Sequence, residues 1–179
     1  MSVSYLYQSE TIGVCGLSSR ELSGNYPQWF NHPDVCRFNS HGAFPNTLEQ
    51  CQDYVASLSG SRSTLVWAVY HLVDGVHIGN ISLQGIDWLS RSAEIAFLFG
   101  ETTYWGKGYA FDAAQLLIAH GFDHLNLRRV YCGTASGNQG MRRLAQKLGM
   151  QEEGCKREAL YLQGGYQDII EFGLLSSDL

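Results

Sequence analysis

Between Thr64 and Phe99 the apolar residues fall in short aromatic and β-branched runs separated by turn signals. "TLVWAVYHL" and "HIGNISLQGI" flank "VDGV", whose Asp74-Gly75 pair predicts a hairpin. "AEIAFLFG" is short and apolar enough for a third, buried antiparallel strand. Beyond it the period lengthens. Ala110, Ala114, Leu117, Ile118 and Phe122 recur at helical spacing, with Asp112, Gln115 and Asp123 largely elsewhere, which predicts a helix to about His124. Gly121 interrupts that helix at modest cost.

"RRVYCGTA" then reads as a strand, "SGNQG" as a turn and cap, and "MRRLAQKLG" as an amphipathic helix closed by Gly149. The tail "ALYLQGGYQDIIEFGLL" predicts a hairpin around Gly164-Gly165. The first third is less regular: "TIGVCGLS" fits a strand, and "NYPQWFNHPDV" and "TLEQCQDYVASL" fit helices. Asn46 or Thr47 caps the second of these, with Gln50 three residues after Thr47. The order strand, helices, antiparallel strands, helix, strand, helix, hairpin is that of an α+β chain. With no repeat, low-complexity tract or linker, one domain over residues 1–179 is expected.

Composition narrows the partners. A net charge of −5 argues against nucleic acid, which needs a basic surface. Five cysteines, an odd number without a C-x-x-C pair, fit reduced thiols in the cytoplasm. No lysine or arginine precedes Arg20, unlike a signal peptide, and no apolar run is long enough to cross a bilayer, so no membrane partner is expected.

The candidate chemistry begins at "TTYWGKGYAFDAAQ". A Walker loop would need G-x-x-x-x-G-K-[ST], but Lys107 stands between Gly106 and Gly108 with Tyr109 following. A dinucleotide fingerprint would need a third glycine where Phe111 stands. Two possibilities survive: a glycine-rich connection with no ligand, or a cradle whose backbone N–H groups meet an anion at the start of the next helix.

Residues 77–115, with "HIGNISL" and "AEIAFLFGETTYWGKGYAFDAA", followed by "GFDHLNLRRVY" and "GNQGMRRLAQKLGMQEEG", resemble the GNAT superfamily of acetyl-CoA-dependent N-acetyltransferases. The branch most similar contains ribosomal-protein alanine and serine N-acetyltransferases, and "YPQWFNHPDVCRF" is similar to its early tryptophan-asparagine-proline segment. The resemblance runs from about Ile12 to Leu175 and implies a mixed, mostly antiparallel sheet flanked by helices. It implies acetyl-CoA as co-substrate, while the histidine spacing implies no metal. The family loop [RQ]-x-x-G-x-[GA] maps onto Trp105, Gly106, Lys107, Gly108, Tyr109 and Ala110, with Trp105 departing from the usual first residue. Its amides would hold the pyrophosphate, and Phe97, Leu98 and Phe99 would pair with the pantetheine amides as a strand does.

Acetyl transfer needs a neutral amine, yet a lysine-like amine is neutral in only about one molecule in two thousand at pH 7. A base is therefore required, and Glu94, inside the apolar run "RSAEIAFLF" and at a glutamate position used by several GNAT enzymes, is the candidate. Its alternatives are a solvated strand edge or a partner in Arg91. The family's leaving-group tyrosine maps onto Ala145, and Tyr104, Tyr131 and Tyr161 read as packing or rim residues. Asn138 matches a family asparagine that contacts the pantetheine arm or the acceptor, and equally fits a helix cap; Met141 replaces a frequent serine. Asp168 resembles a recurrent aspartate near the acceptor, with a turn-side structural role as the alternative. Among the histidines only His120 and His124 share i, i+4 spacing, without the glutamate of a zinc-hydrolase helix.

The acceptor stays open among protein N-terminal amines, polyamines, aminoglycosides and amino-sugar nucleotides. Trp29, Phe30, Phe38 and Phe44 are candidates to stack on a sugar or base or to fill the core. An acyl-CoA-binding module without catalysis is the alternative of another class, kept by Ala145 and opposed by Glu94. Oligomeric state is open, a homodimer among the options.

Overall fold

In a computed structural model that describes residues 3–179, the strand-like runs join into one mixed sheet of eight strands. These are β1 (Tyr7–Gln8), β2 (Ile12–Gly16), β3 (Leu65–His71), β4 (Val76–Asp87), β5 (Ser92–Leu98), β6 (Arg129–Ala135), β7 (Gln151–Leu162) and β8 (Gly165–Leu175). The spatial order is β1-β2-β3-β4-β5-β6-β8-β7, antiparallel throughout except where β5 meets β6. The predicted β3–β4 hairpin forms, and Gly75 takes the left-handed φ of 65° that its turn requires.

Four helices pack on this sheet: α1 (Tyr26–Trp29), α2 (Leu48–Ser57), α3 (Tyr109–Asp123) and α4 (Gln139–Lys147). The helical stripe predicted from Ala110 onward is α3, whose Ala113, Ala114, Leu117 and Ile118 bury against Ile81, Leu83, Ile95 and Val130 of the sheet. Truncating Leu117 would cost about 2–5 kcal/mol. Gly121 is a packing position more than an interruption: a Cβ there would stand 3.3 Å from Leu127 and 3.4 Å from Leu83. On the opposite face, α1 and α2 close a second core of Cys15, Val66, Ala68 and Tyr70 with Tyr26, Trp29 and Val55.

Thr47 caps α2 in a full capping box with Gln50, an arrangement worth about 1 kcal/mol. Two expectations need correction. "NYPQWFNHPDV" supplies only the single turn α1, because Pro33 disfavours helical backbone at His32 and the chain continues in turns. The terminal hairpin turns on Gln163-Gly164, with φ of 52° and 84°, one residue before the predicted pair, and Leu162 faces Gly165.

Candidate functional site

Pairing between β5 and β6 lasts only from Ser92↔Arg129 to Glu94↔Tyr131. Past that rung the strands diverge. Ala96, Phe97 and Leu98 pair with β4 alone, while Cys132 to Ala135 pair with β8 alone, so the β5 edge facing the gap has no strand partner among the described residues. Such an edge offers N–H and C=O groups to an extended ligand.

At the mouth of this gap lies the glycine loop. Gly106 and Gly108 have φ of 74° and 93°, and a Cβ on either would meet nothing within 4 Å. Among the described residues no backbone acceptor meets the N–H groups of Gly106, Lys107, Gly108, Tyr109 and Ala110, because α3 begins its own bonding with Phe111 and Asp112 on Gly108 O. Five unpaired N–H groups at a helix start form an anion cradle. Trp105, the residue that departs from the family pattern, donates its indole N–H to Phe99 O at 2.9 Å and pins the loop to the end of β5.

The β3–β4 turn braces the same loop. Asp74 Oδ2 accepts from the Tyr104 hydroxyl at 2.7 Å and lies 2.8 Å from His71 Nδ1, while His71 Nε2 lies 3.2 Å from the Tyr109 hydroxyl. Bonds from Tyr104 and then His71 hold the Asp74 carboxyl below the usual aspartate range. Lys107 Nζ sits 5.3 Å over the Tyr104 ring. Residue spacing gave no sign of this brace, since Asp74 read only as a turn residue and Tyr104 as packing.

Glu94 lies between Ala93 and Ile95, both buried against α3, so strand alternation turns it to the α1–α2 face. Its rung neighbours there are Gln84 and Tyr131. Arg91 is engaged elsewhere, with Asn126 at 2.6 and 2.7 Å. The cation nearby is Lys156, bonded to Glu171 at 2.6 Å and held above the usual lysine range by Glu171 first, with Glu94 and Tyr131 adding to it. Burial, reinforced by the Glu94 charge, lifts the Cys132 thiol on the opposite face to about 12, which keeps it un-ionised.

Past Gln84 a cavity of about 430 Å³ opens between the sheet and α1–α2. Asn80, Ser82 and Gln84 of β4 form its floor, and Tyr26, Phe30, His41 and Tyr54 stand around it. The segment 30–46 is one wall, tied by Asn46: its Nδ2 donates to Phe30 O, His41 O and Phe44 O, and its backbone exchanges bonds with Asn31. The same segment borders a second hollow of about 750 Å³ beneath the β7–β8 tip. Of the four early aromatics, Trp29 is buried over Gly100 and bonded to Glu101, Phe30 lines the cavity, Phe38 is half-buried beside Gly137, and Phe44 is 80% exposed.

Residues 17–151 match the model of the acetyltransferase (GNAT) domain. The chain belongs to that family. YdaF of Bacillus subtilis strain 168, whose name assigns it provisionally to ribosomal N-acetylation, is 36% identical over 123 residues. That alignment covers 69% of this chain and 63% of YdaF, just under two thirds of its length. A spermidine N-acetyltransferase from Vibrio cholerae, solved with CoA and spermine, shares the fold at a TM-score of 0.87 and 20% identity, covering 95% of this chain and 98% of that one. RimL, a ribosomal L7/L12 alpha-N-protein acetyltransferase solved with coenzyme A, gives 0.86 and 18%, covering 96% and 98%.

Within this acetyltransferase domain the remaining residues fall into place by geometry. Asn138 caps α4, its Oδ1 accepting from Met141 N at 3.1 Å, which leaves its NH₂ uncommitted. Ala145 is fully buried in the core, so α4 offers no hydroxyl there. Of the three tyrosines, Tyr104 belongs to the loop brace, Tyr161 to the exposed hairpin tip, and Tyr131 stands beside Glu94. Asp168 Oδ1 accepts from Glu158 N at 2.8 Å, at a bulge where Glu158 has φ of 51°. His120 and His124 stack beside Tyr7, with Tyr7 Oη 3.0 Å from His120 Nδ1. No helix among the described residues is long and apolar enough to cross a membrane, and no three metal-ligating side chains converge among them.

Proposed function

We propose that this domain transfers the acetyl group of acetyl-CoA to a primary amine by direct attack on the thioester. One observation carries the proposal: a continuous path runs from the open N–H cradle at Gly106 to Ala110, along the unpaired β5 edge, to Glu94 and the cavity beyond. Acetyl-CoA supplies an activated acyl carbon. The cradle amides and Lys107 bind its pyrophosphate, Phe97 to Phe99 align its pantetheine arm with Asn138 alongside, and the cavity holds the acceptor. Glu94 accepts the ammonium proton as the amine nitrogen bonds to the acetyl carbon and the thiolate leaves. With Ala145 at the family's acid position, the thiolate departs unprotonated or takes its proton from solvent, as thiol acidity permits.

The acceptor is a protein N-terminal amine or a small amine, an amino-sugar nucleotide included. Five cysteines, an odd number without a C-x-x-C pair, support a cytoplasmic setting. Thiol release is measured with acetyl-CoA and a panel of amines, beside calorimetric binding of acetyl-CoA. Amine-dependent release is expected. Tight binding with no release for any amine would favour the non-catalytic module that the buried Ala145 keeps in view.

A further inference from the structure

The acceptor cavity has a definite chemistry. Among the described residues its lining contains no Asp, Glu, Lys or Arg. Its one titratable base, His41, has its pKa depressed by burial and is neutral at pH 7. The floor is a row of uncharged groups at two-residue spacing on one face of β4. His77 Nε2 lies 2.8 Å from Asn80 Oδ1, which leaves the Asn80 NH₂ as a free donor pair. Gln84 donates its NH₂ to Ser82 Oγ at 3.0 Å, which leaves Gln84 Oε1 as an acceptor and the Ser82 hydroxyl as a donor. Phe30, Tyr26 and Tyr54 supply apolar faces around this row.

Carboxylates lie near both ends of the row, but those by the Asn80 end are outside the lining and already engaged: Glu101 accepts from Trp29 and Asn25, and Glu21 from Tyr70 and Ser18, both within electrostatic reach of His77. Glu94 is the rung neighbour of Gln84, and Glu171 with Lys156 lies on its far side, toward the β5–β6 gap. Asn80, at the other end of the row, is about 13 Å away along the strand. A cation is therefore welcome where the amine reacts, whereas deeper in no carboxylate of the lining is there to pair with one.

We propose, resting on the acetyl-transfer reading above, that the cavity selects monoamines with an uncharged hydroxyl- or amide-bearing body and discriminates against polyamines. This separates the chain from the spermidine N-acetyltransferase whose fold it shares. A body of that kind matches the donor, donor, acceptor order of Asn80, Ser82 and Gln84 and packs on the surrounding rings. Spermidine would bring second and third ammonium groups against a lining that holds no carboxylate to pair them.

The test is thiol release by the whole protein with three sets of acceptors: spermidine, amino sugars, and short peptide amides with a free N-terminus. At least one neutral-bodied set is expected to exceed spermidine in kcat/KM by about tenfold or more, and the two such arms separate a sugar from a peptide body. Spermidine equal or superior to both would overturn the selectivity. Release with none of the three, despite acetyl-CoA binding, would overturn the selectivity, and the same result across the full amine panel, amino-sugar nucleotides included, would overturn acetyl transfer as well. Ser82→Asp gives a second readout, since it keeps an oxygen to accept from Gln84 Nε2 while adding a charge to the lining with no bonded histidine to cancel it. Its ratio of spermidine to monoamine kcat/KM should rise about tenfold, with acetyl-CoA binding checking the fold; an unchanged ratio would count against the proposal.

Discussion

The Nε2 atom of His71 lies 3.2 Å from the hydroxyl of Tyr109, the first residue of α3, while its Nδ1 lies 2.8 Å from Asp74. The tip of one hairpin thereby holds the start of the helix that carries the anion cradle. Loss of one such bond, about 1 kcal/mol, corresponds to roughly fivefold in affinity. His71→Phe should raise KM for acetyl-CoA about fivefold while kcat and the acceptor KM stay within twofold. Steady-state kinetics with each substrate varied checks this, and an unmoved acetyl-CoA KM would remove the brace from the binding account.

Glu94→Gln should lower turnover by about 10²- to 10⁴-fold near neutral pH and leave acetyl-CoA binding intact. The defect should narrow as pH rises toward the pKa of the acceptor, because solvent then supplies the neutral amine. Parallel pH–rate curves for the two proteins would exclude the base role.

Gly108→Val places a β-branched residue at φ 93°, a strain of about 1–3 kcal/mol, and sets methyl groups in the open approach to the cradle. Calorimetry should detect no acetyl-CoA binding. Gly164→Ala, at φ 84° in the distant β7–β8 turn, carries a comparable backbone strain and should bind normally. Normal binding by Gly108→Val would overturn the cradle assignment.

Glu21 is a buried carboxylate with a pH signature. Burial raises its pKa, but bonds from Tyr70 at 2.5 Å and from Ser18 at 2.8 and 2.9 Å outweigh it, so the folded value lies below the ordinary one. A depressed carboxylate stabilises above its unfolded pKa of about 4.3, and the contribution is lost as pH falls through the folded value. Glu21→Gln should cost about 2 kcal/mol at pH 7, or roughly 4–8 °C in Tm, and the gap to the unaltered protein should close below about pH 4. Melting curves across pH 3 to 8 test it; a constant gap would rule out the carboxylate as its source.

What was legible in the sequence was whatever depends on neighbours along the chain. Asp74-Gly75 marked its hairpin, the Thr47 and Gln50 pair marked the start of α2, and the apolar period marked α3. Glu94 and the glycine loop were singled out as candidates through motif order. What escaped depends on residues far apart: the His71–Tyr109 bond spans 38 positions, and three rungs of parallel pairing leave no period to read. α1 stopped short because Pro33, four residues past its last residue Trp29, disfavours helical backbone before it and outweighs the composition of the stretch. The cavity floor was hidden for another reason, since Asn80, Ser82 and Gln84 interleave with core residues and look like ordinary strand alternation.

The wall formed by segment 30–46 contains no strand and only one short 3₁₀ turn between α1 and α2, and a single asparagine, Asn46, gathers its ends. Its replacement would leave the ladder pairs and the cradle in place. Exchanging that one loop would therefore reshape a wall of the cavity while its β4 floor and the glycine loop keep their places.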